Sequence, residues 1–334
     1  MWLGSLSVNA YILIIGLLIV YTIRMTNSLP TDFVSRLQTL YPTKSAEILD
    51  TFESRKPSTF RTNTLKISTP ALIKKLELHG FEVEPSPLPD AFILKNRSQR
   101  ELTETTEYKN GELYIQGLSS MIPPLVLNPK SGQIVLDACS APGSKTTQMA
   151  ALMQNSGQII ANDMSQVRLY KLVANLKTLG VTNTQTIHFR AQELWKRFPN
   201  TFDSVLVDVP CSLEGRFLAT NPKSFAQWSV KKVKVLSEHQ KHILRSAVSS
   251  AKSGATIVYS TCTLSPEENE EVVEWMLSKD TSLTLQSVGV PGVPTESGIL
   301  EWNGKIYRPE ISKCVRILPT SIFEGFFLAK FAKA

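Results

Sequence analysis

Cysteine is scarce: the 334 residues hold four, at positions 139, 211, 262 and 314, and no two form a Cys-x-x-Cys pair. The four histidines add no ligand spacing, so no metal site is expected, and His188, His239 and His242 read as core or surface residues. A disulfide framework is out of place in a domain this large, which points to reduced thiols. There is no Gly-x-Gly-x-x-Gly and no Walker A spacing, so neither NAD nor ATP is the expected ligand. Internal repeats and low-complexity tracts are also missing. Hydrophobic content of 42% with 19% charged residues describes an ordinary folded chain, long enough for one large or two modest domains.

Lysine and arginine number 36 against 29 acids, a formal charge of +7 with a pI near 9.1. That excess suits a polyanionic partner, although it also serves solubility. Residues 2–23 carry no charge, and Tyr11 to Tyr21 form an apolar run long enough to help a helix cross a bilayer. A membrane anchor, a signal peptide and an upstream start codon ahead of Met25 are the three readings of segment 1–24. The third is taken forward, with a cytoplasmic location and the membrane-anchored form as the alternative.

Residues 25–112 change character. A capped helix over Ser28–Leu40, a helix over Thr43–Glu53, a strand over Phe60–Ile67, a helix over Thr69–His79 and strands at Phe81–Pro85 and Ala91–Leu94 predict a small α+β module. Its Arg55, Lys56, Arg61 and Lys66 are set either to follow a phosphate backbone or, by default, to form a solvated face.

From 113 to 334 strands and helices alternate as in a doubly wound sheet. Strands are expected at Gln133–Cys139, Gln158–Asp163, Thr184–Phe189, Phe202–Val209, Ala255–Thr263 and Gly325–Phe331. Helices are expected after Ser140, over Ser165–Leu179, over Val230–Ser253 and from Pro266. Two strands end in cysteine motifs, Asp208-Val-Pro-Cys-Ser and Ser260-Thr-Cys-Thr. As parallel neighbours they would aim Cys211 and Cys262 into one cleft at the carboxyl ends of the sheet.

The turn Asp137-Ala-Cys-Ser-Ala-Pro-Gly-Ser-Lys-Thr lets a ligand lie on backbone amides at a helix N-terminus, and Asp163 closes the next strand where an acid can accept both ribose hydroxyls. An adenosine-containing cofactor without phosphate uses both features.

These three motifs, with Arg61-Thr-Asn-Thr-Leu-Lys, Gln116-Gly-Leu-Ser-Ser-Met-Ile-Pro-Pro and the Gly-Phe-Phe-Leu-Ala-Lys-Phe ending, resemble the NOL1/NOP2/Sun RNA cytosine-5 methyltransferases over about residues 30 to 334. The resemblance implies a class I, Rossmann-like methyltransferase of α/β class, with a seven-stranded mixed sheet and the 25–112 module as an RNA-binding unit. The implied cofactor is S-adenosylmethionine, and the implied partner is ribosomal or transfer RNA, with ribosomal RNA favoured and the protein a monomer. Cys262 is the implied nucleophile, Cys211 the residue that assists release, Asp208 the acid that holds the cytosine edge, and Lys145 a cation beside the base. The cofactor falls to Ala138, Cys139, Ser140, Ala141, Pro142, Gly143, Ser144, Lys145, Asp163, Arg168 and Asp208. Phe189-Arg190 stands where the family has an acid for the adenine amino group, leaving Gln192 as the substitute acceptor.

Other readings stay beside this one. Cys139 and Cys314 read as structural, Arg168 and Arg216 as phosphate contacts or surface residues, and Trp195 and Trp228 as packing rather than base-stacking residues. A DNA cytosine-5 methyltransferase would use Cys211 as nucleophile and have no need of Cys262. A non-catalytic RNA-binding assembly factor would not be expected to keep both cysteines.

Overall fold

The computed structural model describes residues 29–334, so the uncharged N-terminal stretch and its three readings lie outside the described residues. Among the described residues no helix is long and apolar enough to cross a membrane. The first described helix, Thr31–Leu40, follows Pro30 and has no side-chain cap, and the start expected at Ser28 lies outside the described residues. Its Phe33 and Leu37, with Phe52, pack against Phe217 and Leu264, each a few residues past a motif cysteine. The Phe33 and Phe217 rings meet edge-on at 4.8 Å.

Four strands, β1 (Thr59–Thr62), β2 (Val83–Pro85), β3 (Ala91–Leu94) and β4 (Leu113–Ile115), make an antiparallel sheet in the order β2-β3-β1-β4. Helix Thr69–Leu78 lays Leu72 and Leu76 on Phe60 and Phe92. The strand expected to run to Ile67 stops at Thr62 because Asn63 turns the chain: its amide donates to Gly111 O and Leu179 O, both at 2.8 Å, and its carbonyl accepts from Leu65 N. β4 lies past residue 112 yet pairs with β1, so this sheet takes its last strand from beyond the expected boundary.

The larger sheet is built from β5 (Ile134–Asp137), β6 (Gln158–Asn162), β7 (Thr184–Ile187), β8 (Phe202–Asp208), β9 (Ala251–Thr261), β10 (Leu283–Gln286), β11 (Glu296–Ser297), β14 (Val315–Ile317) and β15 (Phe326–Lys333), while β12 (Glu301–Trp302) and β13 (Lys305–Ile306) form a separate hairpin. Its order is β11-β14-β15-β9-β8-β5-β6-β7, with β10 also on β15. β9, β8, β5, β6 and β7 are parallel, and β15 runs against β9. The nine strands exceed the expected seven because short β10 and β11 extend the antiparallel edge.

Period-two alternation sends Val205, Val207, Ile257 and Tyr259 to one core and Leu206 and Val258 to the other. Helices cover both faces, which is why these strands read as unbroken apolar runs. The chain leaves β5 for β6 and β7, then returns to the opposite side of β5 as β8. Ligands bind at such a switch point, outside the carboxyl ends of β5 and β8.

Two corrections bear on the site. The helix expected from Pro266 begins at Glu270, because the preceding acids are drawn inward. Glu267 accepts from Arg36 at 2.6 Å and from Trp302 Nε1, while Glu270 pairs with Arg316, a guanidinium 1% exposed. Asn269, at φ −112° and ψ −97°, lies outside the helical region. Arg61 is neither a phosphate contact nor a solvated residue. It is buried, donates to Gln116 Oε1 and to Thr147 Oγ1 on helix Ser144–Leu152, and so ties the smaller sheet to the helix that follows β5 in the larger one.

Candidate active site

Beyond the ends of β8 and β9 the two motif cysteines meet. Their sulfurs lie 3.3 Å apart, and the Cys262 N–H donates to Cys211 Sγ at 3.4 Å. Both line a cleft of about 810 Å³ that also takes in Asp137, Cys139, Lys145, Asp208 and, from the N-terminal module, Arg55, Lys56 and Tyr114. The hydrogen bond with Cys262 and then burial push the Cys211 thiol up, so it stays protonated. Burial and the Asp137, Asp163 and Asp208 carboxylates push the Cys139 thiol up, which fits an inert sulfur. Cys314 is buried away from the cleft, and its thiol is raised by the same burial.

Lys145 sits in the first turn of helix Ser144–Leu152 with its side chain only 10% exposed. Its ammonium reaches Asp208 Oδ2 at 2.8 Å and Ser120 Oγ at 3.0 Å, and it stands 5.7 Å from the centre of the Phe326 ring. The other Asp208 oxygen accepts from Ser260 Oγ at 2.8 Å. Both carboxylate oxygens are thus fixed, and the pair faces the cleft beside the two sulfurs.

The turn from β5 into the helix is shaped by Gly143, whose φ of +107° and whose neighbour Leu172, 2.5 Å from where a Cβ would stand, leave room for glycine alone. Cys139, Ser140, Ala141, Pro142, Ser144 and Arg168 line the cleft, whereas Ala138, Gly143 and Asp163 lie behind its wall. Asp163 is 4% exposed. One of its oxygens accepts from Ser165 N and the other from Ala141 N, and Arg168 pairs with it at 3.2 Å. Arg168 also donates to Ala141 O, so this arginine covers the carboxylate from the cleft side. Gln192, in a short turn after β7, does not line the cleft.

Asp137 is fully buried, accepts from Thr146 Oγ1 through one oxygen at 2.7 Å and leaves the other without a partner. Burial pushes its carboxyl up to about 7. An orphaned acceptor on the wall of a cleft calls for a ligand that donates, as an α-ammonium group does.

Trp228 packs among Phe33 and Phe217 and donates from Nε1 to Glu214, while Trp195 is exposed. Arg216 pairs with Glu324 at 3.1 Å on the cleft rim, and Lys66 turns back onto Asn110 O and Thr178 O. Sequence reasoning missed Ser120 and Glu214, and it gave no role to Ser260 although that residue lies inside a quoted motif. A signal was present for Ser120 as well, since it too lies inside a quoted motif, whereas Glu214 stands outside every motif and is found only through its long-range contacts.

Gly215 is a further constraint. Its N–H donates to Cys262 O at 3.0 Å, and a Cβ there would lie 2.0 Å from Gly325 O. Gly215→Ala is therefore expected to displace the backbone that carries Cys262, costing roughly 1–3 kcal/mol and most of the turnover. Thermal unfolding and methyl-transfer assays check this, and a variant equal to the native chain in both would refute it.

A family model described as "16S rRNA methyltransferase RsmB/F" matches residues 124–332, and one for the N-terminal domain of the RsmF enzyme matches 29–117. The tRNA (cytosine(49)-C(5))-methyltransferase of Pyrococcus abyssi is 41% identical over 84% of this chain and 89% of that protein. Ribosomal RNA small subunit methyltransferase F of Cronobacter sakazakii is 36% identical over 82% of this chain, which spans only 56% of that relative's length. A methyltransferase homologue from Pyrococcus horikoshii superposes with a TM-score of 0.82 at 33% identity, covering 93% of this chain and 97% of the other. The NSun6 protein of the same organism, crystallised with the S-adenosylmethionine analogue SFG, gives 0.76 at 25% identity over 92% and 98%. With two sulfurs in contact, a lysine–aspartate pair beside them and a family match across most of its length, the chain belongs to the RsmB/F group of the NOL1/NOP2/Sun family of S-adenosylmethionine-dependent RNA cytosine-5 methyltransferases.

Proposed function

We propose that this protein methylates carbon 5 of a cytosine in RNA through a covalent bond between Cys262 and carbon 6. The observation that carries the proposal is the 3.3 Å contact between the Cys211 and Cys262 sulfurs beside the Lys145–Asp208 pair. Carbon 5 of cytosine is a weak nucleophile until a thiol adds at carbon 6. When bound, S-adenosylmethionine supplies an electrophilic methyl group on a sulfonium. The turn 139–144, the orphaned Asp137 oxygen and Asp163 would hold it, Asp163 once freed from Arg168.

Cys262 sulfur bonds to carbon 6, its proton passes to ring nitrogen 3, and the C5=C6 electron pair moves onto carbon 5, which takes the methyl group. Asp208, fixed by Lys145 and Ser260, accepts from the protonated nitrogen 3 and the amino group, favouring the activated ring. Loss of the carbon 5 proton to solvent restores the double bond as the carbon–sulfur bond breaks. Cys211, a protonated thiol in contact with the departing sulfur, gives it a proton and is recharged from nitrogen 3.

Attack on the ring face needs an unstacked base, so the target lies in a loop or is turned out of its helix. Ribosomal RNA is the favoured substrate because the N-terminal module matches the N-terminal domain of a ribosomal RNA methyltransferase. Transfer RNA is the second reading, on the length match to the Pyrococcus enzyme. Two free thiols this close suit a reducing compartment, which supports a cytoplasmic location.

Bisulfite sequencing of total RNA from a deletion strain, beside one carrying Cys262→Ala, tests the proposal. Loss of the same protected cytosine in both identifies the reaction and the RNA. If no cytosine changes in either strain, the RNA-binding assembly role is the better account.

A further inference from the structure

Beneath the two cysteines lies a pair of buried carboxyl groups that the reaction does not use directly. Glu214 is 2% exposed and Glu268 is fully buried. Glu214 belongs to the loop that follows Cys211, but it grips the loop that follows Cys262. It accepts from Thr263 Oγ1 at 3.0 Å, Leu264 N at 3.2 Å and Ser265 Oγ at 2.6 Å. Glu268 belongs to the loop that follows Cys262, but it grips the other. One of its oxygens accepts from Ser212 N at 3.0 Å and from Gln240 Nε2 at 2.7 Å, and that same amide also donates to Pro210 O at 2.9 Å. The residues on either side of Cys211 are thereby both tied to Glu268.

A further bond closes the figure. Ser212 Oγ and Thr263 Oγ1 are 2.7 Å apart, and Thr263 already donates to Glu214, so Ser212 is the donor. Tyr259 OH pins the Glu268 carbonyl from below at 2.6 Å. Each cysteine loop therefore carries the acid that holds its partner, and neither loop can move without breaking buried hydrogen bonds.

We propose that Glu214 and Glu268 are positioning residues, a reciprocal clasp that sets the spacing of the Cys211 and Cys262 sulfurs and so governs release of the methylated RNA. The inference rests on the covalent reading above and goes beyond it by assigning the release step to a second set of residues. Release needs Cys211 within reach of the departing sulfur, whereas attack by Cys262 does not use Cys211. Loosening the Cys211 side of the clasp should thus slow release more than attack.

The two acids differ in a way that can be tested. Glu214 uses both oxygens as acceptors, with Trp228 Nε1 and Ser265 Oγ on one and Thr263 Oγ1 and Leu264 N on the other. A glutamine there would set an amide donor against donors. Glu268 uses one oxygen only, and its other oxygen has no partner. Burial and the Glu214 charge push it up to about 8, so glutamine is close to its neutral form in shape and hydrogen bonding.

The experiment follows the Cys262–RNA adduct on denaturing gels together with kcat and KM for RNA. Glu268→Ala is expected to build up the adduct, with kcat lowered about tenfold or more and KM for RNA changed by less than about threefold. Glu268→Gln should restore turnover to within about threefold of the native chain, while Glu214→Gln should not. Gln240→Leu, which cuts the link to Pro210 and leaves Glu268 in place, should accumulate adduct as Glu268→Ala does, and it serves if Glu268→Ala does not fold. Adduct in Cys211→Ala but none in Glu268→Ala or Gln240→Leu overturns the clasp alone, as does equal loss in both Glu268 variants. No adduct in any protein, Cys211→Ala included, sinks the covalent reading and the clasp with it.

Discussion

Cys262→Ala is expected to lower methyl transfer by on the order of 10⁴- to 10⁶-fold, the range found when a nucleophile is removed from a covalent mechanism. The variant keeps its fold, since Cys262 is half-buried at the cleft and its backbone bonds to Cys211 Sγ and Gly215 N survive the change. Cys211→Ala is expected to behave in the opposite way. It still attacks carbon 6 and still transfers the methyl group, but it cannot protonate the departing sulfur, so RNA stays joined to Cys262. Incubation with RNA followed by denaturing electrophoresis and mass spectrometry separates the two: a shifted band in Cys211→Ala and none in Cys262→Ala. The reverse outcome would assign the attack to Cys211, as in DNA cytosine-5 methyltransferases. The double variant should show neither turnover nor adduct.

Much of the site is legible in the sequence because its chemistry is local. The strand over residues 202–208, the helix over Gln166–Leu179 with Ser165 at its start and Gly180 at its end, and the final strand follow from apolar periodicity and caps. The meeting of Cys211 with Cys262 follows from two parallel strands ending in like motifs. What the sequence hides is set by long-range partners. Pro266 and the acids after it read as a helix start, yet Glu267, Glu268 and Glu270 each answer to a residue far away in the chain: Arg36, Gln240 and Arg316. Arg61 reads as a surface cation, and only the apposition of two sheets shows it as a buried tie. Asp163 reads as an open ribose acceptor, whereas Arg168 covers it. In each case the local pattern is compatible with either outcome, and a contact more than twenty residues away or an i, i+5 neighbour decides between them.

Asp137→Asn is expected to gain stability on the native chain as pH rises, and the reason lies in the wall of the cleft. The carboxyl is fully buried, has one unpartnered oxygen and is pushed from its ordinary 3.8 up to about 7 by burial, with Asp208 and Asp163 adding to the effect. Above about pH 4 the unfolded chain has given up this proton while the folded chain keeps it. The folded state then binds more protons, so the contribution of Asp137 to stability falls between about pH 4 and 7 and is constant above. A displacement of this size corresponds to ~4 kcal/mol, an upper figure because a buried carboxylate draws in water. Asparagine removes the titration and keeps the oxygen that accepts from Thr146. Urea unfolding of both proteins at pH 5 and pH 8 checks it: the advantage of the variant should grow by a few kcal/mol, and parallel pH curves would show that Asp137 is already ionised in the fold. Three acids, Asp137, Asp163 and Asp208, converge at the carboxyl ends of β5, β6 and β8, with Lys145 and Arg168 as the paired cations. A positively charged ligand in that cleft favours the ionised form of Asp137. Saturating S-adenosylmethionine should therefore narrow the gap between the two proteins at pH 8, and S-adenosylhomocysteine, which lacks the sulfonium charge, should narrow it less.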